Sequence, residues 1–204
     1  AEINLVMRQE GLPAAEVLKN KFDMPFVVSA PYGYAATLAW LEEVGKILGQ
    51  LPDVKMCARL RLKAQNTASL KMYAMMMGRK KTPQAAVIGE YDLVKGLSAF
   101  LRSVGIDVKY KLCSHSLKSI VEPELDIQYI SVEKEKIDIL KKMQKTLVLA
   151  DDVSHRLCDS GNVVVRVSAP FIDGAQIATH LPLLGEKGTD FLLESIEAYY
   201  QTLA

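Results

Sequence analysis

Few side chains in this sequence have the spacing that metal or nucleophilic chemistry requires. His155 and Cys158 lie three residues apart in "VSHRLCDSG", so a helix there would place both on one face, where they could act as two metal ligands. Two ligands do not complete a metal site, and a packed thiol beside an exposed imidazole is the more ordinary interpretation. His115 stands in "CSHS" at the end of a predicted strand, where a ligand could reach it, whereas His180 precedes "LPLLGEKG" in a predicted loop.

The cysteines are spaced for neither disulfide bonds nor zinc. Cys57, Cys113 and Cys158 are separated by 56 and 45 residues, and no C-x-x-C occurs. This spacing predicts reduced, buried thiols in a cytoplasmic protein, and it makes a metal cluster held by these three residues alone improbable.

Several familiar catalytic signatures are missing from the sequence. No G-x-G-x-x-G follows the strand-like "AAVIGE", so dinucleotide binding has little support. The sequence also lacks G-x-x-x-x-G-K-[ST], which excludes ATP hydrolysis by a P-loop in this chain, and G-x-S-x-G, the nucleophile elbow of esterases. Chemistry must therefore come from positions that the fold brings together.

The composition is that of an ordinary packed protein. The chain has 204 residues, 50% of them hydrophobic, and a formal net charge of +1. Such a charge gives no reason to expect nucleic acid as a partner, and no run of 18 or more apolar residues predicts a membrane span. The opening "AEINLVMRQEG" lacks the features of a signal peptide. It is already strand-like at residue 3, so we expect further sequence upstream.

Strand and helix signals alternate along the chain. Short apolar or β-branched runs predict strands at residues 3–7, 24–30, 85–90, 106–112, 146–151 and 162–168. Apolar periodicity predicts helices at residues 12–22, 34–48, 54–77, 92–105, 133–145, 153–161 and 188–203. Asp53 and Asp92 are expected to cap the helices that follow them, and Gly49 to end the second helix. Residues 122–130 are expected to be irregular, with a short extended piece.

Apolar strands separated by helices are typical of a parallel sheet that is covered on both faces. With right-handed crossovers, this predicts an α/β fold with a Rossmann-like, doubly wound parallel sheet. We assign residues 83–204 to a Rossmann-like C-terminal domain and residues 53–82 to a connecting helix. Residues 1–52 are interpreted as the C-terminal part of an incomplete, similar domain.

Ligands of open parallel sheets lie beyond the carboxyl ends of the strands. This rule nominates residues 29–34, 90–92, 113–115, 151–154 and 168–171. From these segments we select Tyr32, Gly33, Glu90, Tyr91, His115 and Asp151 as candidate ligand-binding residues. The turn Pro31-Tyr32-Gly33 is either the floor of an anion-binding pocket at a helix start or a structural crossing between domains.

Basic residues dominate residues 53–81. Asp53 is the single acid among them, against the basic residues Lys55, Arg59, Arg61, Lys63, Lys71, Arg79, Lys80 and Lys81. The ordinary interpretation is a solvated helix face followed by a basic loop, and the alternative is a contact with an anion or an acidic partner. Only Tyr73 interleaves the basic residues, so the segment does not resemble a nucleic-acid platform.

Five stretches together resemble the component 1 family of nitrogenase-type oxidoreductases. They are "INLVM", "FDMPFVVSAPYGYAAT", "AAVIGEYDLVKGLSAFLRSVGIDV", "LVLADDVSHRLCD" and "HLPLLGEKGTDFLLESI", which occur in the family's order and cover nearly the whole chain. The resemblance implies a subunit that accepts electrons from an ATP-driven iron–sulfur reductase. It also implies an interdomain cleft for a metallocluster or a tetrapyrrole, and a homo- or hetero-oligomer with a similar subunit.

Two positions depart from the nitrogenase pattern. The cysteine that follows the first strand and the histidine before the last helix in that catalytic subunit correspond to Arg8 and Leu184 here. Neither side chain can ligate a metal, so the usual molybdenum–iron cofactor is not expected. Arg8 is instead a candidate for binding the carboxylates of a tetrapyrrole or of an organic acid on a cofactor, the alternative being a surface arginine beside Glu10.

Two other functional classes stay open at this point. One is a non-catalytic cofactor scaffold or small-molecule-binding module of the same fold, since a fold does not determine function. The other is a two-domain ligand-sensing protein of the periplasmic-binding type, which the strand–helix order also suits. The "LPLLGEKG" segment before the last helix fits the nitrogenase-like pattern better.

Overall fold

The structure, a computed structural model, contains every predicted strand and helix, with adjusted ends. It describes residues 1–76, 83–114, 117, 126–170, 172 and 183–203, with side chains outside residues 69–76 and 203.

The N-terminal part is a small parallel unit of strands and helices. Strand β1 (Asn4–Val6) leads through a 3-10 turn to helix α1 (Leu12–Phe22), and strand β2 (Phe26–Val28) then pairs with β1 in parallel. Helix α2 (Tyr34–Leu48) ends at Gly49 in the left-handed conformation (φ 64°), as expected.

A long helix, α3 (Val54–Met76), follows this unit, in agreement with the helix predicted in this part of the sequence. The Asp53 Oδ1 accepts a hydrogen bond from the Met56 N–H at 2.7 Å, which confirms the predicted cap.

The C-terminal part is built on five parallel strands. The elements are β3 (Gln84–Gly89), α4 (Tyr91–Ser103), β4 (Asp107–Cys113), β5 (Gln128–Tyr129), α5 (Glu133–Leu140), β6 (Thr146–Ala150), α6 (Asp152–Leu157), β7 (Val163–Arg166) and α7 (Gly185–Leu203). The strands lie in the order β5-β4-β3-β6-β7, and every neighbouring pair is parallel. The predicted α/β, Rossmann-like fold is thus confirmed.

Both faces of this sheet are buried, which explains the continuous apolar runs of its strands. On one face, Val87 and Leu149 pack among residues of α4 and α7, such as Leu97 and Ile196. On the other face, the side chains of Ile88, Leu112, Leu140, Met143 and Val148 form a second cluster, against which Leu157 and Cys158 pack. Alternate residues of β3 therefore serve opposite cores.

Three helix predictions were wrong in detail. Asp92 does not cap α4, because the helix begins at Tyr91 with Glu90 at the N-cap, and the Asp92 carboxylate accepts the Gln9 N–H instead. Helix α5 ends at Leu140 rather than at residue 145, since the chain must turn into β6, with Lys145 in the left-handed conformation (φ 52°). Helix α6 ends at Leu157 for the corresponding reason, the turn into β7.

The basic face of α3 meets acidic residues of the same chain. Arg59 makes a bidentate contact with Glu186 of α7 (2.7–3.1 Å), and the Lys63 Nζ lies 2.9 Å from both Glu186 and Asp190. Arg61 pairs with Glu42 of α2 at 2.7 Å. We call the group Arg59, Lys63, Glu186 and Asp190 the α3–α7 clamp.

Within the described ranges, no helix combines the length and the apolar character that crossing a bilayer requires.

Candidate functional site

The strand order creates a switch point between β3 and β6. From β3 the chain proceeds outward to β4 and β5, and then returns to β6 on the other side of β3. Crevices open at such points, beyond the carboxyl ends of the strands. The structure has a cleft of about 590 Å³ there, lined by residues 88–90, 93, 112–114, 130–133, 136, 151 and 167–170, which we call the carboxyl-edge cleft. Its volume is typical of small-molecule and cofactor sites.

Three helices around this cleft start with an acidic residue. Glu90 is the N-cap of α4, Glu133 is the first residue of α5, and Asp151 is the N-cap of α6. A carboxylate is stabilised at a helix start by the unpaired N–H groups and the helix dipole. Asp151 shows this arrangement directly, since it accepts hydrogen bonds from the Ser154 N–H at 2.7 Å and from its hydroxyl at 3.1 Å.

Lys136 lies between two of these carboxylates. Its Nζ is 3.2 Å from Glu133 Oε1 and 3.7 Å from Asp151 Oδ2, and its side chain is only 15% exposed. Three carboxylates against this one ammonium leave the lining with a negative excess. Helix starts of this kind bind phosphates in many parallel-sheet proteins, but at the start of α6 the Asp151 carboxylate already accepts the Ser154 N–H. The interior of the cleft therefore favours neutral or cationic groups, and an anionic group is favoured only at the rim, where Arg8 pairs with Glu90.

The floor of the cleft is apolar and tightly built. The Ser168 hydroxyl donates to the Ile88 carbonyl at 3.2 Å and so ties the ends of β7 and β3. A Cβ on Gly89 would lie 3.0 Å from Leu93 Cδ2, closer than ordinary contact, so a glycine suits this position. The buried Cys113 places a thiol at the end of β4.

The N-terminal unit meets the rim of the cleft through charged residues. Arg8, just after β1, pairs with Glu90 and lies 3.7 Å from Glu10. The Gln9 N–H donates to Asp92 Oδ2 at 2.8 Å. Burial raises the pKa of Asp92, and the hydrogen bond from Gln9 opposes this effect.

The Pro31-Tyr32-Gly33 turn packs on α4. A Cβ on Gly96 would come within 2.2 Å of Tyr32 Cδ2, so the Tyr32 ring lies flush against the helix backbone. Gly33 has φ 90° and would place a Cβ 2.8 Å from Phe100 Cδ2, so this position requires glycine. Burial raises the pKa of Tyr32 to about 12, and the carboxylates of Asp92 and Glu90 add to this effect.

The candidate residues fall into four places. Glu90 and Asp151 line the carboxyl-edge cleft, and Arg8 contacts Glu90 at its rim. Tyr32 and Gly33 line a separate pocket of about 280 Å³ between α3 and α4. Tyr91 is 1% exposed in the core. His115 lies outside the described residues, as does His180. The ligand-binding roles of all seven candidates stay predictions.

Sequence reasoning missed Glu133 and Lys136 and did not select Ser168 among the final candidates. Glu133 and Lys136 follow the two-residue strand β5, whose short sequence gave no clear strand signal. The acidic first turn of "EKEKIDIL" was a usable signal for a helix start at the same sheet edge.

The described residues do not form a metal site. Within these ranges, no three His, Cys, Asp or Glu side chains are grouped so that they could hold an ion. In the His155–Cys158 pair, the His155 Nδ1 lies 3.2 Å from the Arg166 guanidinium, so this nitrogen already has a partner. This donor set does not fit a metallocluster held by the described part of this chain alone.

A Rossmann-like domain with a ligand-sized cleft at its switch point defines a broad class of proteins, and comparison with known sequences narrows it. Residues 1–200 match the family described as "Nitrogenase component 1 type Oxidoreductase". The chain belongs to this family.

Two relatives with named activities resemble nearly the whole chain. A subunit of the light-independent protochlorophyllide reductase of Methylocella silvestris is 25% identical over 96% of this chain and 39% of its own length. The "Nitrogenase iron-iron protein beta chain" of Rhodobacter capsulatus is 27% identical over 93% of this chain and 43% of its own length. The chain thus spans about two fifths of the length of these relatives.

Proposed function

We propose that this chain is part of an electron-accepting subunit of a nitrogenase-like component 1 oxidoreductase, and that its carboxyl-edge cleft holds the group to be reduced. The electron donor is an ATP-driven iron–sulfur reductase. The observation that carries the proposal is the cleft of about 590 Å³ at the switch point of a sheet that belongs to this family. We keep residues 1–52 as the remainder of a second domain, joined by residues 53–82 to the domain of residues 83–204.

A tetrapyrrole fits the cleft better than a metallocluster does. A flat apolar ring can pack against the apolar side chains of the cleft walls, which are Ile88, Leu93, Leu112, Ile130 and Val167. The described residues, in contrast, lack a set of donors that could bind a metallocluster. Arg8, at the rim, is the residue we propose for a ring carboxylate. The name of the Methylocella relative, which belongs to a protochlorophyllide reductase, supports the same substrate class. We assign the expected iron–sulfur cluster to the full complex and not to this chain alone.

The chain's own contribution is binding, exclusion of water and proton supply. A bound tetrapyrrole would supply the redox chemistry, accepting electrons and protons at its ring. The apolar walls keep water from it, and Lys136 Nζ holds a proton inside the cleft. Glu133, 3.2 Å from this nitrogen and with a side chain 64% exposed, lies between Lys136 and solvent.

The proposed partners follow from the family. We propose a homo- or hetero-oligomer with a similar subunit and transient docking of the reductase, in the cytoplasm. The names of both relatives describe parts of larger enzymes, a reductase subunit and a "beta chain".

A binding titration tests the site. Ser131 is exposed and lines the cleft, so Ser131→Trp should fill it without disturbing the core, while Ser160→Trp places the same ring on a remote surface turn. We expect absorbance titration with a carboxylated, metal-free porphyrin to show at least about tenfold weaker binding to Ser131→Trp and unchanged binding to Ser160→Trp. Equal binding by both variants would place the ligand elsewhere.

The second candidate is a non-catalytic scaffold or small-molecule-binding module. It is favoured by the missing three-donor group in the described ranges and by the acidic lining of the cleft. The two functions differ in one outcome. A scaffold binds the porphyrin but, with the reductase and ATP present, does not pass electrons to it.

A further inference from the structure

Two adjacent acids at the start of α6 have different surroundings. Asp151 lines the carboxyl-edge cleft, whereas Asp152 is 1% exposed and does not line it. Neighbouring side chains of a helix point about 100° apart, so the two carboxylates face different parts of the protein. Asp152 is therefore placed to hold protein groups near the cleft rather than to touch a ligand in it.

The contacts of Asp152 lie on both sides of one cleft wall. This wall is formed by residues 167–170, which we call the wall segment. Just before it, the Arg166 Nε pairs with Asp152 Oδ1, and just after it, the Ile172 N–H donates to Asp152 Oδ2 at 2.5 Å. At the end of the wall segment, the Pro170 carbonyl accepts the Asp152 N–H at 3.2 Å. One residue thus contacts the chain at both ends of the wall segment.

The sheet holds the first half of the wall segment. The Val167 N–H donates to the Ala150 carbonyl at 2.9 Å, and the Ser168 hydroxyl donates to the Ile88 carbonyl at 3.2 Å. The second half, Ala169 and Pro170, is exposed. The contacts of Asp152 hold this second half against the start of α6.

Stability alone does not explain a charged residue at this position. Asp152 is almost fully buried, and the Arg166 side chain is 20% exposed. Removing two charges from water costs free energy that their attraction often fails to offset, and apolar side chains of similar size often give equal or greater stability. An apolar side chain cannot accept the Ile172 N–H, however. The pair therefore suits a role in fixing geometry.

We propose that Asp152 is a positioning residue that sets the width of the carboxyl-edge cleft, because it holds the wall segment in place through Arg166, Pro170 and Ile172. This inference rests on the proposed function of the cleft. A flat macrocycle binds more tightly to a wall that is already ordered, since no binding free energy is then lost in ordering it. Asp152 therefore raises the affinity for the macrocycle without touching it.

A double variant separates positioning from stability. Asp152→Val with Arg166→Met replaces the ion pair by apolar side chains and removes the acceptor of the Ile172 N–H. The control is Lys111→Met with Asp126→Asn, which removes an ion pair whose lysine is buried and whose two residues do not line the cleft.

The measurements are made on the assembly purified through a tag on this chain. We expect absorbance titration with a carboxylated, metal-free porphyrin to show at least about tenfold weaker binding to the Asp152/Arg166 variant and unchanged binding to the control. Thermal unfolding followed by circular dichroism should show no lower melting temperature for the Asp152/Arg166 variant than for the wild type.

Amide hydrogen exchange resolved to single residues gives a local measure that does not need a ligand. We expect the Ile172 amide to exchange at least about tenfold faster in the Asp152/Arg166 variant. The Val167 amide, which bonds to Ala150 in the sheet, should be unchanged. Equally faster exchange at both amides would show a general loss of stability and would overturn the positioning role.

The outcomes distinguish this inference from the proposed function. Wild-type binding with equal affinity in the Asp152/Arg166 variant would overturn the positioning role and leave the proposed function standing. A wild-type assembly that does not bind the porphyrin would contradict the proposed function, and the inference with it. If the double variant does not fold, Asp152→Asn, which keeps the shape and removes the charge, decides the question. Lower affinity in Asp152→Asn is then expected, and unchanged affinity would overturn the inference.

Discussion

At the scale of single residues, Arg8 links the two parts of the chain. Its guanidinium pairs with Glu90, the N-cap residue of α4, and lies beside Glu10. The pairing raises the pKa of Arg8, so the side chain stays charged whether or not it meets a ligand. To bind a carboxylate of a tetrapyrrole, Arg8 must share its donors with Glu90, which its five N–H groups allow.

Arg8→Ala tests this role. If Arg8 binds a ring carboxylate, the substitution should weaken binding of a carboxylated porphyrin by about tenfold and leave binding of its methyl ester unchanged. Arg102→Ala is the control, because Arg102 forms a comparable exposed pair with Asp126 (3.0 Å) away from the cleft. Unchanged binding of the free acid by Arg8→Ala would remove Arg8 from the site.

The Cys158 thiol should be unreactive near neutral pH. Burial raises the pKa of Cys158 to about 11, and the Asp151 carboxylate adds to this effect. At pH 8 about one thousandth of the thiol is then ionised, so alkylation by iodoacetamide should be slow and should rise about tenfold per pH unit. Mass spectrometry of the Cys158 peptide measures the rate.

Asp151→Asn should speed this alkylation, because it removes the nearby negative charge while keeping an oxygen that can cap α6. Asp138→Asn, an exposed change on α5, should not alter the rate. Fast alkylation of the wild-type thiol at neutral pH would show that the half-buried Cys158 thiol is not shielded from water.

At the scale of elements, α4 joins the turn to the cleft. On one side of α4, Gly96 contacts the Tyr32 ring and Phe100 contacts Gly33. At its start, the helix has acidic residues that lie at the rim of the cleft. The position of the turn is therefore set by close contact with a helix backbone. This packing supports the structural interpretation of the turn, while Tyr32 and Gly33 still line a pocket of their own.

Gly96→Ala should destabilise the protein although alanine favours a helix. The added Cβ would lie 2.2 Å from Tyr32 Cδ2, so the ring must move. We expect overpacking to cost about 2–3 kcal/mol and helix propensity to return ~1 kcal/mol, so the free energy of unfolding in urea should fall by about 1–2 kcal/mol.

The control for this prediction is Gly161→Ala, whose Cβ would meet its nearest atom at 3.8 Å and should change little. In the Tyr32→Ala background, Gly96→Ala should be neutral or stabilising, since the obstructing ring is gone. A full penalty in both backgrounds would refute the contact.

The existence of the elements could be read from the sequence, because apolar periods and caps are local signals. Asp53 and Gly49 act as predicted. The errors at Asp92 and at the end of α5 have a tertiary origin. The Asp92 carboxylate accepts a hydrogen bond from the Gln9 N–H, 83 residues away in sequence, and no local pattern encodes that contact.

At the scale of the whole molecule, the α3–α7 clamp holds α3 against α7. The Arg59 hydrogen bonds, with those of Lys63, lower the pKa of Glu186 below its usual 4.5. An acid whose pKa is lowered on folding stabilises the fold above its unfolded pKa, and this contribution is lost as the pH falls through the folded value. The clamp should therefore hold above about pH 4.5 and weaken below it.

Glu186→Gln should flatten the pH dependence of stability in this acid range. We expect the free energy of unfolding of the wild type to drop more steeply than that of the variant between about pH 5 and about pH 3. Glu43→Gln, an exposed change on α2, should retain the wild-type slope. Parallel curves for the wild type and Glu186→Gln would show that the clamp does not act in solution.

The sequence placed Glu90 and Asp151 at one sheet edge because the carboxyl ends of parallel strands share that edge. The sequence could not show that Lys136 lies near Asp151, or that basic residues of α3 pair with acidic residues of α7. Both contacts depend on how the helices pack. The family resemblance supplied the functional class, which no local motif in this chain encodes.

In the proposed function, this chain brings a reducible macrocycle to an electron donor. The most direct test is anaerobic turnover by the native assembly purified through a tag on this chain, with the reductase, ATP and protochlorophyllide. We expect ATP-dependent loss of the tetrapyrrole absorbance band, abolished by Ser131→Trp and retained in Ser160→Trp. A band that persists in an assembly with bound tetrapyrrole and active reductase would contradict the proposed function.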